Sequence, residues 1–302
     1  MIFKKLKNQL RLLNAIHTEL EKRSAILTKL DKIQESIGRL ELRQLEELDR
    51  KNIHNNEFRV FSQWGEDGII QFLLRNIKIN QKVFVEFGVQ NYTESNTRFL
   101  LMNSNWSGLV MDGSPEYISQ IKKDPIYWQY NLKAVQAFID KNNINQLLAE
   151  NGVSGEIGLL SIDIDGNDYW VWEAIDVVNP AIVVIEYNAR FGKDKSITIP
   201  YDSHFERSKA HYSNIYFGAS LKALYLLAQR KGYTLVGCNT AGNNAFFVRH
   251  DLKSPEIKGL SVEEGYVDCK FRESRDSEGK LAYLSREEEE KILASLPFEN
   301  IK

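Results

Sequence analysis

The sequence predicts a doubly wound α/β domain behind a long N-terminal helix, and three observations carry that prediction. Four short apolar runs each close on an acid: Val83–Val85 on Glu86, Gly108–Met111 on Asp112, Ile157–Ile162 on Asp163 and Ile182–Ile185 on Glu186. Helical stretches separate these runs, so the strands they form are expected to be parallel and buried on both faces. Residues 1–50 differ from everything after them: they hold no proline, one glycine (Gly38) and no aromatic beyond Phe3. A parallel sheet gathers the carboxyl ends of its strands on one rim, and ligands bind there.

Within residues 1–50, Leu6, Leu13, Ile16 and Leu20 fall at heptad-like spacing, as do Ile26, Leu30, Ile33, Ile37 and Leu40. The two sets are out of phase by three residues near Arg23, as in a coiled coil with a stammer. A narrow apolar seam with no partner in sequence is expected to bury itself against copies of the same chain. The competing reading is one amphipathic helix packed on its own domain. In the first turns, Lys4, Lys5, Lys7 and Arg11 accompany Ile2, Phe3, Leu6 and Leu10 with no acid before Glu19, a pattern that also suits peripheral contact with an anionic membrane. Residues 51–57 read as a linker.

The stretch Phe61–Gly68, FSQWGEDG, precedes the first strand. It has two readings. One is a lid over a ligand, with Gln63 and Glu66 as polar contacts; the other is a helix start capped by Glu66 or Asp67. The first strand ends at Glu86-Phe87-Gly88, where the missing side chain of Gly88 lets a ligand approach the backbone. Asn91–Thr97 then opens a helix whose free N–H groups suit a carboxylate, with Asn96 among them. Asp112, 26 residues after Glu86, stands where a ribose-binding acid stands in such folds. An acid after strand one and another after strand two fit a ligand with an amino-acid end and a ribose, such as S-adenosylmethionine. The third strand is expected within Ile126–Ile139, with Asn131, Lys133 and Ala134 as candidates for the adenine.

Strand four runs into Asp163-Ile164-Asp165-Gly166-Asn167-Asp168, and strand five into Glu186-Tyr187-Asn188. Asp163 is a candidate catalytic acid or base and cofactor contact. Asp165 with the acid-x-amide pair Glu186 and Asn188 forms a hard oxygen set suited to Mg²⁺ or a similar ion. In the competing reading, Asp163 and Asp165 cap the next helix and hold a cofactor amino group. Residues 189–216 have no clear period and leave the acid-lined rim, so they are expected to be a substrate-binding insertion. They supply His211 as candidate base, with His204 and Tyr216 behind it. Tyr233–Cys238 and Asn244–Arg249 flank a turn cluster and read as an antiparallel hairpin closing the sheet. No chemistry is assigned to residues 250–302.

Composition narrows the function classes. The formal net charge of −2 gives no bulk pull towards nucleic acid. Two distant cysteines, Cys238 and Cys269, argue against a disulfide scaffold or zinc ribbon and fit a reducing compartment. No stretch approaches the roughly 20 apolar residues of a membrane span, and the N-terminus lacks the apolar core of a signal peptide. The expected location is cytoplasmic, with membrane contact at most peripheral, at an inner membrane.

Taken together, Phe61–Asp67, the FVEFG strand end, Trp106–Asp112, Leu160–Gly166 and Phe217–Leu221 followed by Gly232–Gly237 resemble FkbM-like S-adenosylmethionine-dependent methyltransferases across about residues 58–250. The resemblance implies a class I methyltransferase, Rossmann-like fold: a seven-stranded sheet with helices on both faces and an antiparallel last strand. It implies methyl transfer to a sugar or small-metabolite hydroxyl. It matches Glu86 and Gly88 to the first cofactor motif, Asp112 to the ribose acid, and Asp163–Gly166 to the motif after strand four. EFGVQN departs from the more usual aspartate and second small residue. The implied organisation is a coiled coil (1–50), a linker (51–57), the methyltransferase domain (58–250) and a C-terminal extension (251–302). The coiled coil lies outside the family core and directs the expectation to cell-surface glycan synthesis. Alternatives are a small-molecule acceptor, or an oligomeric cofactor-binding scaffold without methyl transfer. A nicotinamide enzyme is disfavoured because the first glycine turn lacks GxGxxG.

Overall fold

The computed structural model describes residues 2–46 and 52–302; Met1 and residues 47–51 lie outside it, as do the side chains of residues 2–8, 21, 24, 25, 27, 28, 45 and 46. The membrane-facing reading of the first turns therefore falls outside the described side chains, Arg11 and Leu10 excepted. Helix α1 (Ile2–Glu46) is followed by a short 3-10 turn at Ile53–Asn56 and by α2 (Glu66–Asn76). The chain then alternates: β1 (Val83–Phe87), α3 (Arg98–Ser104), β2 (Ser107–Asp112), α4 (Pro115–Lys123), α5 (Pro125–Gln129), β3 (Leu132–Gln136), α6 (Ile144–Glu150), β4 (Gly155–Ile162), α7 (Asp168–Ala174) and β5 (Val178–Glu186). A two-residue strand β6 (Ile197–Thr198) and the short helix α8 (Arg207–Ala210) fall within the insertion. After it come α9 (Leu221–Lys231), β7 (Tyr233–Cys238), β8 (Asn244–Arg249), α10 (Val262–Gly265), α11 (Arg286–Ala294) and β9 (Glu299–Asn300).

Among the described residues, the main sheet has seven strands in the order β3-β2-β1-β4-β5-β8-β7. β1 to β5 pair in parallel, and β8 runs antiparallel between β5 and β7. The order reverses between β1 and β4, which opens a crevice at their carboxyl ends. This is the doubly wound, Rossmann-like seven-stranded sheet that the sequence predicts, closing hairpin included. Its two faces bury separate cores, one around Val85, Leu160, Trp172 and Phe247, the other around Phe84, Leu101, Leu159 and Phe246. Successive residues of each strand feed opposite cores, as the two-residue period of a strand requires.

α1 has two faces over its C-terminal half. Glu35 and Gly38 are buried against the domain, and Leu42 packs on Phe58, Val60, Phe61 and Phe99. A Cβ on Gly38 would stand 2.4 Å from Val60 Cγ2, so only glycine lets the helix lie this close. The apolar seam is on the other side: Leu13, Ile16, Leu20, Ile26, Leu30, Ile33, Ile37 and Leu40 are all exposed. Packing on its own domain therefore accounts for one face of the helix and leaves the seam uncovered.

The final fifty residues fold back on the insertion. β9 pairs with β6, and Leu293 of α11 is buried with Phe191, Ile199, Ile215 and Tyr216.

Candidate functional site

A cleft of about 500 Å³ lies over the tips of β1, β4, β5 and β8. A recess of about 280 Å³ adjoins it over the β2 and β3 ends. Gly88, Gln90, Asp163 and Asp165 line both, so the two form one L-shaped path across the rim.

The first half of the rim is built by acids that are already bonded. Glu86 accepts from Ser95 Oγ (2.9 Å), Asn96 N (2.8 Å), and Thr97 N (3.1 Å) and Oγ1 (2.5 Å). Burial pushes its carboxyl upward, and these donors oppose the shift. Glu86 thus shapes the loop and does not line either cavity. Asp112 accepts from Gln90 N (2.7 Å) and Ser114 N (2.8 Å), while burial raises its pKa. A carboxylate has about four acceptor sites, so Asp112, which lines the recess, keeps capacity for a hydroxyl pair. Gly88 sits at φ +72°, and a Cβ there would stand 1.6 Å from the Asp163 carbonyl oxygen. Gln90 (φ +48°) and Tyr92 (φ +64°) are also left-handed, an unusual conformation for such residues. The loop after β1 is therefore held in a strained shape by Glu86 and Asp112. Gln63 and Asn96 line the cleft, and Asn96 Nδ2 donates to Ser161 Oγ at 3.1 Å.

FSQWGEDG serves as both a helix start and a wall. The buried Asp67 accepts from the N–H groups of Val60, Phe61 and Ser62, each at 2.8 Å. Burial nonetheless pushes its pKa to about 6. Glu66 accepts from Asn239 and Asn244 of the closing hairpin. These two acids fix the segment and leave Gln63 lining the cleft, while Trp64 stacks at 5.2 Å on Phe271, which also lines it.

On the second half, among the described residues, the side chains of Asp163 and Glu186 accept no hydrogen bond, while those of Asp165 and Asp168 do. Asp168 takes the capping role, accepting from Ile164 N and Gly166 N at 2.8 Å each, with burial raising its pKa to about 6. That frees Asp163 and Asp165 from the capping role. Asp163, Asp165 and Glu186 bring carboxylate oxygens within 4.8 Å of one another. Glu186 is buried, and its Oε2 has no hydrogen-bond partner. Burial, then the neighbouring charges of Asp165 and Asp168, hold Asp163 well above the usual carboxylate range. Burial, then Asp163 and Asp165, do the same to Glu186. Like charges this close resist joint ionisation, so the pair Asp163 and Glu186 tends to keep a proton.

Arg207 is the cation that faces them. It bonds Asp165 Oδ1 at 2.6 Å, lies 2.6 Å from Glu273 Oε2, and stacks 3.6 Å over the Phe217 ring. Burial weakens its charge, but Glu186, Glu273 and Asp165 outweigh that and hold it firmly protonated. Glu273 also binds Arg190 at 2.7 Å. Asp165 is held at φ +57°, a conformation aspartate tolerates better than most residues.

Four sequence expectations need correction. Glu86, expected to contact the cofactor, lines neither cavity because its oxygens accept from Ser95, Asn96 and Thr97 of its own loop. Ala134 is buried in β3, opposite Val110, and packs into the core; the recess beside it is lined by Ala137, Phe138 and Ile139 from the following turn. Asn188 does not join Glu186: its Nδ2 donates to the Ile215 and Phe217 carbonyls, and its Oδ1 accepts from Arg190 N. The amide beside Glu186 is Asn244, its cross-strand partner, which lines the cleft with its Oδ1 buried and unpartnered. His211 lines neither cavity; its Nδ1 pairs with Ser213 Oγ at 2.7 Å, and burial lowers its pKa. His204 is on the surface. The sequence reading missed Arg207, Phe271 and Glu273, the last two in the stretch to which it gave no chemistry.

No family profile and no curated protein sequence matches the chain. Solved structures to which the chain is similar include the N-terminal domain of EvdMO1 with S-adenosylhomocysteine bound (11% identity, 59% of this chain, 75% of that one, TM-score 0.38). Another is an S-adenosylmethionine-dependent methyltransferase from Clostridium acetobutylicum (10% identity, 61% and 90%, TM-score 0.40). A third is the O-methyltransferase from Bacillus cereus in complex with S-adenosylhomocysteine (12% identity, 60% and 78%, TM-score 0.38).

Proposed function

We propose that the chain is an S-adenosylmethionine-dependent methyltransferase acting on a hydroxyl, and that the observation carrying this is the division of the rim into a bonded half and an unbonded half. The cofactor supplies an electrophilic methyl group. The recess accommodates its nucleoside, with Asp112 accepting from the ribose and Phe138 and Ile139 against the base. The adjoining part of the cleft takes the amino-acid end, near Asn96 and Gln63. Gly88 lets the cofactor cross between the two without meeting a side chain.

The acceptor lies over Asp163 and Glu186. A carboxylate with a raised pKa is a base suited to near-neutral pH, and one of this pair removes the hydroxyl proton as the methyl group arrives. Arg207 holds Asp165 and limits the repulsion within the cluster. The cleft lining is dominated by polar side chains, with one aromatic ring among them, Phe271, which Trp64 backs by stacking. Such a wall suits a sugar, which offers hydroxyls to the acids and an apolar face to an aromatic ring, and a glycan-synthesis role follows from that. The exposed seam of α1 is buried in a second copy of the chain, making a homo-oligomer.

A second reading of the acid cluster is a divalent-cation site, favoured by the three carboxylates within 4.8 Å. Full activity in excess chelator overturns it and leaves the base in place. The primary reading is tested by calorimetric titration with S-adenosylhomocysteine, followed by methyl transfer from labelled cofactor to a panel of sugars. Micromolar binding supports it, and absence of binding overturns it.

A further inference from the structure

The cofactor loop after β1 is tied to α1 through one buried side chain. Arg98, at the start of α3, is 3% exposed. Its Nη1 donates to the carbonyl of Tyr92 at 3.1 Å, in the strained stretch of that loop. Its Nη2 donates to Asp31 Oδ2 of α1 at 3.2 Å, and Asp124 Oδ2 lies 3.5 Å from the same nitrogen. The guanidinium stacks over Phe61 (5.2 Å), at the base of the wall that carries Gln63, and over Tyr92 (5.9 Å). Gln34 of α1 adds a bond to the Val60 carbonyl at 3.4 Å, where Gly38 allows close approach. One cation thus touches the loop that lines the cleft, the segment that walls it, and the N-terminal helix.

We propose that Arg98 is a positioning residue for the cofactor site and that Asp31 of α1 sets its orientation, so that the N-terminal helix takes part in binding the cofactor as well as in any assembly. The proposal deepens the methyltransferase reading and rests on it. A left-handed tyrosine is held only where its surroundings over-determine it. The Arg98 bond to its carbonyl is one such restraint, since a planar, fully charged guanidinium fixes the directions of its bonds. Asp31 and Asp124 face the same nitrogen, so loss of Asp31 loosens the restraint without removing it.

The test uses full-length protein with Asp31→Asn, Asp31→Glu and Arg98→Lys, none of which alters a residue lining the cleft or the recess. Two readouts are taken: hydrogen exchange of residues 89–97 without ligand, and affinity for S-adenosylhomocysteine. Expected are faster exchange in that loop and affinity weakened about 5- to 10-fold for Asp31→Asn. The loss should be larger for Arg98→Lys, with recovery in Asp31→Glu and unchanged sedimentation in all three. Unchanged loop exchange in both Asp31→Asn and Arg98→Lys overturns the proposal whatever the protein binds. Faster exchange in a wild-type background that binds no S-adenosylhomocysteine keeps the Arg98 restraint and overturns the methyltransferase reading instead.

Discussion

The β1–β2 half of the rim and the β4–β5 half are built from the same residue type and behave oppositely. Glu86 and Asp112 each spend their oxygens on backbone N–H groups and hydroxyls of the loops they organise. Asp163 and Glu186, on the other half, face each other and Asp165 with Arg207 as the nearby cation. An acid that is hydrogen-bonded before any ligand arrives works as scaffold and presents its spare lone pairs in a fixed place. An unbonded buried acid destabilises the fold and is retained where chemistry needs a base or an ion ligand. Position at a strand tip therefore does not define a role; the partners each acid already has do.

That contrast can be broken most directly at the reacting half. Glu186→Gln is expected to lower kcat about 100-fold or more while S-adenosylhomocysteine affinity stays within about 3-fold. The same substitution relieves repulsion with Asp163 and should raise stability by about 1 kcal/mol, seen as a higher Tm. Asp112→Ala removes a charged acceptor from the other half and should weaken S-adenosylhomocysteine about 10- to 100-fold, by calorimetry. Gly88→Ala strikes both halves, since its methyl would enter the Asp163 carbonyl. A cost of about 3 kcal/mol in urea unfolding is expected, with loss of cofactor binding.

The pH dependence of stability sharpens the contrast further. Asp163, Glu186, Asp67 and Asp168 all have folded pKa values above those of the unfolded chain. The folded state then holds more protons, so stability is fully present below about pH 4 as far as these groups are concerned and falls as pH rises. For Asp67 and Asp168 the loss is complete just above about pH 6; the coupled pair adds a loss of the same sign. Glu186→Gln should therefore reduce the total fall in stability as pH rises. The smallest effect expected is from His211→Ala, which should leave kcat within about 2-fold.

Much of the sheet was legible because four of its five parallel strands, β1, β2, β4 and β5, announce themselves as apolar runs closed by an acid, and Asn239–Asn243 marked the hairpin. The site was legible only where a residue's neighbours lie close in sequence. Gly88 and Asp112 follow from local spacing. Asn188 was misread because acid-x-amide shares a face only while a strand continues. β5 ends at Glu186, and Asn188 opens a 3-10 turn at Ala189–Phe191. Asn244 reaches the site through cross-strand register, which no local pattern reports. Ala134 failed for the converse reason: on a regular strand its side faces the core, and the recess belongs to the turn beyond. Arg207 opens the four-residue helix α8, and Phe271 and Glu273 lie in irregular chain; they converge in space, with no period to signal it. The α1 seam was readable as a repeat, yet its second, buried face depended on Gly38, a lone glycine that sequence alone treats as a weak point in a helix.

The most direct measurement is calorimetric titration of S-adenosylhomocysteine into the wild-type protein, Asp112→Ala and Glu186→Gln in parallel. Micromolar binding by the wild type and by Glu186→Gln, with binding weakened about 10- to 100-fold in Asp112→Ala, is the predicted result. No binding by the wild type, or equal loss in both variants, would contradict the division of the rim into a half that holds the cofactor and a half that reacts.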